Sequence, residues 1–291
     1  MTKGRTGIML AALVVLLALA LPAAAAQTTT LEVVRYGWDN TTVGASETVS
    51  VSWMEANLPV MGDGVTPYSF QGPTFDPADL WNPAENVNFD KITETVKGTA
   101  IHDLVELVGG MHPGDEVQVR AADGFRKRLN YTNVYAPPAR QGPPVLAWWT
   151  AREGYGYQNG MRLFFLADGL HVFGNEDMRQ CLAPAYWHHF YSDGIAYPSA
   201  AGLSVGTIAR LEVYPAPRAL ALPGSPDAPT DTDGDGLYED VNGNGRKDFA
   251  DVVLYFNQMS WIAANEPVPL FDCNGNGRID FADVVALFNA L

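Results

Sequence analysis

Oxygen-bearing side chains recur at alternate positions twice near the end of this 291-residue chain, in a spacing suited to gripping a hard cation. The segment DVNGNGRKDFADVV at 240–253 returns as DCNGNGRIDFADVV at 272–285, a self-similarity that marks duplicated structural units. A calcium ion takes about 6 to 8 oxygens, and a twelve-residue loop delivers them from positions 1, 3, 5, 7, 9 and 12. In the first copy these positions are Asp240, Asn242, Asn244, Arg246, Asp248 and Asp251; in the second they are Asp272, Asn274, Asn276, Arg278, Asp280 and Asp283. Arginine fits at position 7 because only its backbone carbonyl is needed there. Gly245 and Gly277 hold position 6, where the chain turns sharply. Three carboxylates per loop overcompensate one divalent ion, so metal binding and folding are expected to be coupled.

Just upstream, DTDGDGLYED at 231–240 starts the same alternation, with Asp231, Asp233 and Asp235 at positions 1, 3 and 5 and Gly236 at 6. Its twelfth position falls on Asn242, which the next loop already uses. A third, partial calcium site and a solvated acidic linker are both open readings.

The elements that must position these loops are legible too. Each repeat continues into an apolar stripe at i, i+3, i+4 and i+7: Phe249, Val252, Val253 and Phe256, then Phe281, Val284, Val285 and Phe288. That periodicity predicts a helix leaving each loop. Pro267 and Pro269 before the second loop, and Pro226 and Pro229 with a Gly-rich run before the first, argue against a helix entering either. Loop then helix, twice, over 240–291, resembles the type I dockerin family. The resemblance implies a calcium-dependent module whose two halves form a pseudo-twofold pair and bind a cohesin domain on another protein. Positions 10 and 11 of each loop, where many dockerins carry the Ser and Thr that contact cohesin, are Phe249-Ala250 and Phe281-Ala282 here. Basic residues farther along the family's helices are replaced by Phe256-Asn257 and Phe288-Asn289. The partner implied is therefore a cohesin-like domain of another specificity on a second surface protein, or an intramolecular surface.

Ahead of this module, short runs at 31–36, 48–53, 116–121, 145–149, 161–166 and 208–214 read as strands. Thr99 is placed as the N-cap of a helix carrying Ile101, Leu104, Val105 and Val108 on one face and stopping at Gly109-Gly110. Residues 59–85 read as long loops. The order of KGTAIHDLVELVGG (97–110), PGDEVQVRAADG (113–124), PVLAWW (144–149), GMRLFFL (160–166) and IARLEV (208–213) is similar to the later half of the molybdopterin-binding domain of sulfite-oxidase-type oxidoreductases, over 96–214. That family holds its metal through a cysteine thiolate in the earlier part of the domain. The first cysteine here is Cys181, near the end, so no residue matches that ligand and the resemblance implies the fold without its cofactor. The wider pattern, including WMEANLPV at 53–60 and QGP at 71–73, is similar to dockerin-tailed envelope proteins of methanogenic archaea, for which no catalytic role is implied.

One more stretch bears chemistry-capable groups, YWHHFY at 186–191. Adjacent histidines in a strand point to opposite faces, so gripping one ion would require a bend. A metal or haem site, a sugar-stacking aromatic surface and ordinary packing are the three readings.

Composition bounds the rest. A charged start, an apolar run at 8–21 and a Pro-Ala exit read as a signal peptide over 1–26, too short in its apolar part for the roughly 20 residues of a spanning helix. About 265 residues then remain, enough for two modules. The division expected is a β-rich α+β domain at 27–214, a Pro-rich linker at 215–230 and a small all-α calcium loop-helix module at 231–291, an α+β protein as a whole. A net charge of −15 disfavours nucleic acid and anionic membrane surfaces as partners. Two cysteines make no disulfide framework. The reading is a secreted or cell-surface protein that binds calcium, docks through its last module and displays a non-catalytic binding or scaffold domain. The competing reading is a dockerin-bearing extracellular enzyme, a polysaccharide hydrolase or an oxidoreductase, with polysaccharide then a further partner.

Overall fold

The computed structural model describes residues 28–82, 92–155, 157, 160–169 and 171–291; the signal peptide expected at 1–26 lies outside the described residues. Strand β1 (Thr30–Tyr36) drives Leu31, Val33 and Val34 into the core, pairs antiparallel with β2 (Val43–Ser50), and pairs parallel with β12 (Ile208–Tyr214), Val33 lying opposite Leu211. Two further strands, β5 (Glu116–Ala121) and β6 (Arg126–Asn130), complete a sheet of order β2-β1-β12-β5-β6. A second sheet is built from β3 (Pro67–Phe70), β4 (Thr93–Ala100), β7 (Pro144–Thr150), β8 (Arg162–Phe165) and β9 (Val172–Phe173), in the order β8-β7-β4-β3-β9.

Helix α2 (Ile101–Glu106) joins the two sheets. It touches β1 of one and β4 and β7 of the other, and buries Ile101, Leu104 and Val105 between them. Gly98, in the Lys-Gly-Thr run ahead of it, has a plain steric reason to be glycine: a Cβ there would lie 2.3 Å from the Leu146 carbonyl oxygen of β7. Three smaller helices, α1 (Val51–Asn57), α3 (Tyr131–Tyr135) and α4 (Asn175–Cys181), and a hairpin of β10 (His189–Ser192) and β11 (Ile195–Pro198) cover the margins. The whole is α+β, with strands in the first part and helices in the last.

Three local expectations are corrected. Thr99 caps no helix: it is a buried residue of β4, its hydroxyl accepts the Trp148 indole N–H at 3.0 Å, and the helix starts after Ala100. The apolar run at 48–53 is not one strand. Ser50 ends β2 and caps α1, its hydroxyl accepting the Trp53 N–H at 3.1 Å, so that Met54 turns into the core. Within 59–85, read as loops, residues 67–70 form β3, because Phe70 packs among Phe164, Phe165 and Phe173.

The C-terminal helices are α5 (Phe249–Asn265), α6 (Val268–Phe271) and α7 (Phe281–Asn289). They have their own core, in which Val252, Tyr255, Ile262, Phe271, Val284 and Leu287 meet, and the Tyr255 hydroxyl donates to the Phe271 carbonyl at 2.5 Å. The second loop does have one helical turn ahead of it, α6, which starts beyond Pro267 with Pro269 in its first turn, where a missing N–H is tolerated.

Segment 215–230 is held at both ends. Buried Asp115 accepts the Ala216 N–H at 2.9 Å and the Arg218 guanidinium at 3.1 Å, while also pairing with Arg35 at 3.2 Å. Farther on, Ala219 and Leu222 enter the helical core, the Leu220 N–H donates to Glu266, and Gln258 donates to the Pro223 carbonyl at 3.0 Å. The segment therefore packs against both units.

Two outcomes follow from these contacts. Asp115→Ala leaves Arg35 and Arg218 without their shared carboxylate and is expected to cost about 3–5 kcal/mol in urea unfolding, the usual effect of breaking a buried pair from one side. Burial pushes the Glu266 carboxyl up to about 7, against the opposing pull of the Leu220 N–H. A folded-state value above the ordinary one means that the folded chain holds this proton more tightly; the stabilisation is complete below about 4.5 and is lost as pH rises through about 7. Glu266→Gln should then melt close to the parent at pH 5 and above it at pH 8 in differential scanning calorimetry with saturating calcium.

Candidate metal centre

The two repeats adopt the same local structure. Asp240 receives the N–H of Asn244 at 3.0 Å on one oxygen and that of Gly245 at 2.8 Å on the other; Asp272 receives Asn276 at 2.9 Å and Gly277 at 2.7 Å in the same way. Gly245 and Gly277 have φ of +82° and +83°, the left-handed conformation that position 6 requires and that side chains resist. At position 12, Asp251 accepts the N–H of Asn242 (3.0 Å) and of Asp248 (2.8 Å), and Asp283 those of Asn274 (3.2 Å) and Asp280 (2.7 Å). Asp248 and Asp280, at position 9, are the N-caps of α5 and α7 and complete capping boxes with Asp251 and Asp283. One pair of carboxylates thus closes each loop and starts each helix.

The position-3 side chains Asn242 and Asn274 each accept the N–H of position 5, which tightens the turn within each loop. Arg278 at position 7 points its guanidinium outward to Asp280 at 2.8 Å, and Arg246 is exposed. Asp240, Asp251 and Asp283 have no exposed surface. Burial, reinforced by the neighbouring Asp240 and Asp248 charges, holds the Asp251 carboxyl above the ordinary range despite two backbone donors. An arrangement of side-chain oxygens, buried negative charge and sharp glycine turns suits a hard divalent cation.

Residues 238–291 match the dockerin type I domain. No curated protein matches the chain. The match encloses both repeats and the three helices, and the dockerin module begins just after the acidic run at 231–235. Dockerin domains bind calcium and dock to cohesins, and the chain carries such a module.

The apolar stripes were read as marks of the exiting helices, and their placement is the larger finding. Val252 and Val284 are buried, but Phe249, Val253, Phe256, Phe281, Val285 and Phe288 are all more than 40% exposed. They line one groove of about 340 Å³ between α5 and α7. Phe249 meets Phe288 edge-on at 6.1 Å, and Phe256 meets Phe281 at 5.9 Å. Each contact pairs position 10 of one repeat with position 17 of the other, so the groove has the pseudo-twofold symmetry of the sequence. Its signal was available in the phenylalanines at position 10, where the family's polar contact residues stand.

Sequence reasoning also missed Glu239. It lies with Asp231, Asp233 and Asp235, one carboxylate oxygen of each within 4.8 Å of the others.

In the N-terminal unit the two adjacent histidines part. His188 packs so tightly on Gly202 that a Cβ there would sit 1.7 Å from its ring, and burial, with Lys127 nearby, drives it down to about 4. His189 faces the Trp81 and Trp187 rings. Cys181, ending α4, and Cys273, in the second loop, are both free thiols. Burial raises both, Cys273 to about 11, so neither is a ready nucleophile. Among the described residues no helix is long and apolar enough to cross a membrane.

Stripping calcium with a chelator should lower both the α-helical circular dichroism and the melting temperature of the full chain. A free ion concentration one hundred times Kd would contribute about 2.7 kcal/mol per loop. Asp240→Ala combined with Asp272→Ala should lower the number of calcium ions bound in titration calorimetry by two; an unreduced count would contradict the ligand assignment.

Proposed function

We propose that this is an exported, modular surface protein whose dockerin module folds around two calcium ions and docks, through the phenylalanine groove, onto an apolar face of a cohesin-like domain. The signal peptide over 1–26 supplies the export. In the first loop the ion is held by the side-chain oxygens of Asp240, Asn242, Asn244, Asp248 and Asp251 with the Arg246 carbonyl. In the second it is held by those of Asp272, Asn274, Asn276, Asp280 and Asp283 with the Arg278 carbonyl. Calcium neutralises the carboxylates that close each loop, and the closed loops fix the directions of α5 and α7.

The observation that carries the docking reading is the groove itself. Six exposed apolar side chains, contributed equally by both repeats, form a continuous patch, and patches of this kind mark interaction surfaces. Aromatic anchors dominate such interfaces, because their burial yields much free energy for little lost side-chain freedom. The partner is therefore apolar where a Ser/Thr-recognising cohesin is polar.

The N-terminal unit is read as a displayed, non-catalytic domain. Support comes from four of its acidic side chains, which are committed to structural partners: Asp115 to Arg35 and Arg218, Asp177 to Arg140 at 2.7 Å, Glu212 to Gln118, and Glu94 to Arg152.

Replacing Phe249 and Phe281 by Ser tests the docking reading without touching a ligand. The immobilised full chain, in calcium, should capture its partner from cell-surface extract, and the double variant should lose at least about tenfold in affinity, as hot-spot aromatics do. Calcium affinity should stay unchanged. Undiminished capture would place the interface elsewhere.

A further inference from the structure

The acidic run ahead of the dockerin module contains a buried carboxylate with one oxygen that no protein donor meets. Glu239 is 4% exposed. Its Oε1 accepts the Thr232 N–H at 3.1 Å and the Thr232 hydroxyl, while its Oε2 is buried without a hydrogen-bond partner. A buried acceptor left unpaired costs about 1–3 kcal/mol, and more when it is charged. The same side chain lies in a cluster with Asp231, Asp233 and Asp235, each offering an oxygen within 4.8 Å of the others. Four like charges packed so closely repel one another strongly, and no cationic side chain belongs to the set.

We propose that Asp231, Asp233, Asp235 and Glu239 hold a third calcium ion, outside the two repeat loops. The register supports a loop of the same kind. Counting from Asp231, the carboxylates fall at positions 1, 3, 5 and 9, with Gly236 at position 6 in the left-handed conformation, φ +94°. Asp231 takes the Gly236 N–H at 2.8 Å, as Asp240 takes Gly245 and Asp272 takes Gly277. Position 12 is unavailable, since Asn242 serves the next loop. Glutamate at position 9, one methylene longer than the aspartates of the repeats, brings its carboxylate into the cluster from within and takes the place of the missing closing ligand. An all-oxygen set with four carboxylates selects a hard ion of calcium's type over softer transition metals.

The site adjoins the first repeat covalently. Glu239 precedes Asp240, and Asp240 is bridged to Thr230 both through the backbone, at 3.0 and 3.2 Å, and through the Thr230 hydroxyl at 2.6 Å. An ion at 231–239 thereby clamps the segment that covers the first ligand of the first loop.

The experiment is a count of bound calcium. The full chain, stripped by chelator and equilibrated with calcium, is measured by inductively coupled plasma mass spectrometry after gel filtration and by titration calorimetry. Three ions per chain are expected for the parent, and two for Asp233→Ala combined with Asp235→Ala, whose side chains are exposed and whose replacement removes both ligand oxygens while leaving the core intact. Glu239→Gln should likewise bind two, while Asp240→Ala with Asp272→Ala should retain the one at 231–239. A parent count of two, or an unreduced count in the Asp233/Asp235 variant, overturns the third site and leaves the repeat loops standing. A parent count of zero overturns both.

Discussion

A carboxylate removed from water must have its charge compensated, and the two repeats remove three completely: Asp240, Asp251 and Asp283. The cost of burying an ionised group is several kcal/mol after relaxation, so its surroundings are not free to vary. Backbone amides meet part of the requirement. Each position-12 aspartate takes one N–H from position 3 and one from position 9, which pulls the two ends of the loop together. Because position 9 is also the helix N-cap, loop closure and helix initiation are one event. Amide dipoles satisfy lone pairs but carry no net charge, which is why the loops still call for a divalent ion.

From that constraint the exposed face follows. Loop closure sets where α5 and α7 begin and which way they run, and their buried sides, Val252, Tyr255 and Ile262 against Val284 and Leu287, set their rotation. Phe249, Phe256, Phe281 and Phe288 are then left outside, where they find only one another. A single repeat cannot make this surface, since every aromatic contact across it joins the two copies. An apolar patch retained in water on a protein of net charge −15 is a cost in solubility, and exposed patches of this kind mark interaction surfaces.

The shape of the loops was legible in the sequence because it is local: twelve positions fix their own turns, and duplication repeats the message. The groove was not. An i, i+3, i+4, i+7 stripe says that a helix has an apolar face, but α5 and α7 are apolar on more than one, and only packing decides which is covered. Tyr255 and Ile262, outside the stripe, took the interior. In the N-terminal unit, runs such as 116–121 and 208–214 matched their strands to the residue, since Val117, Val119 and Ala121, and Leu211 and Val213, alternate with polar residues at the period of a strand. Thr99 and Ser50 misled in opposite directions for a shared reason: a hydroxyl caps a helix or pairs within a core according to tertiary neighbours. Thr99 had Trp148 beside it, and Ser50 had the free N–H of Trp53. Glu239 was invisible as a ligand because its meaning lies in an unpartnered oxygen, which no spacing reveals.

A proline-rich composition suggested a tether between the modules, and tethers let domains swivel. Composition alone does not decide this; the fate of the backbone donors does. The Ala216 N–H is taken by Asp115 of the first unit and the Leu220 N–H by Glu266 of the second, four residues later, with Ala219 and Leu222 buried beyond recovery by solvent. A chain so short, fixed at both ends, has little freedom left for its ends to move apart. The same segment then runs on to Thr230, whose backbone and hydroxyl hold Asp240, the first residue of the first loop. The first loop, the pose of the helices and the anchoring of the N-terminal unit thus share one stretch of chain, so that a change in the loop's closure reaches the joint as well.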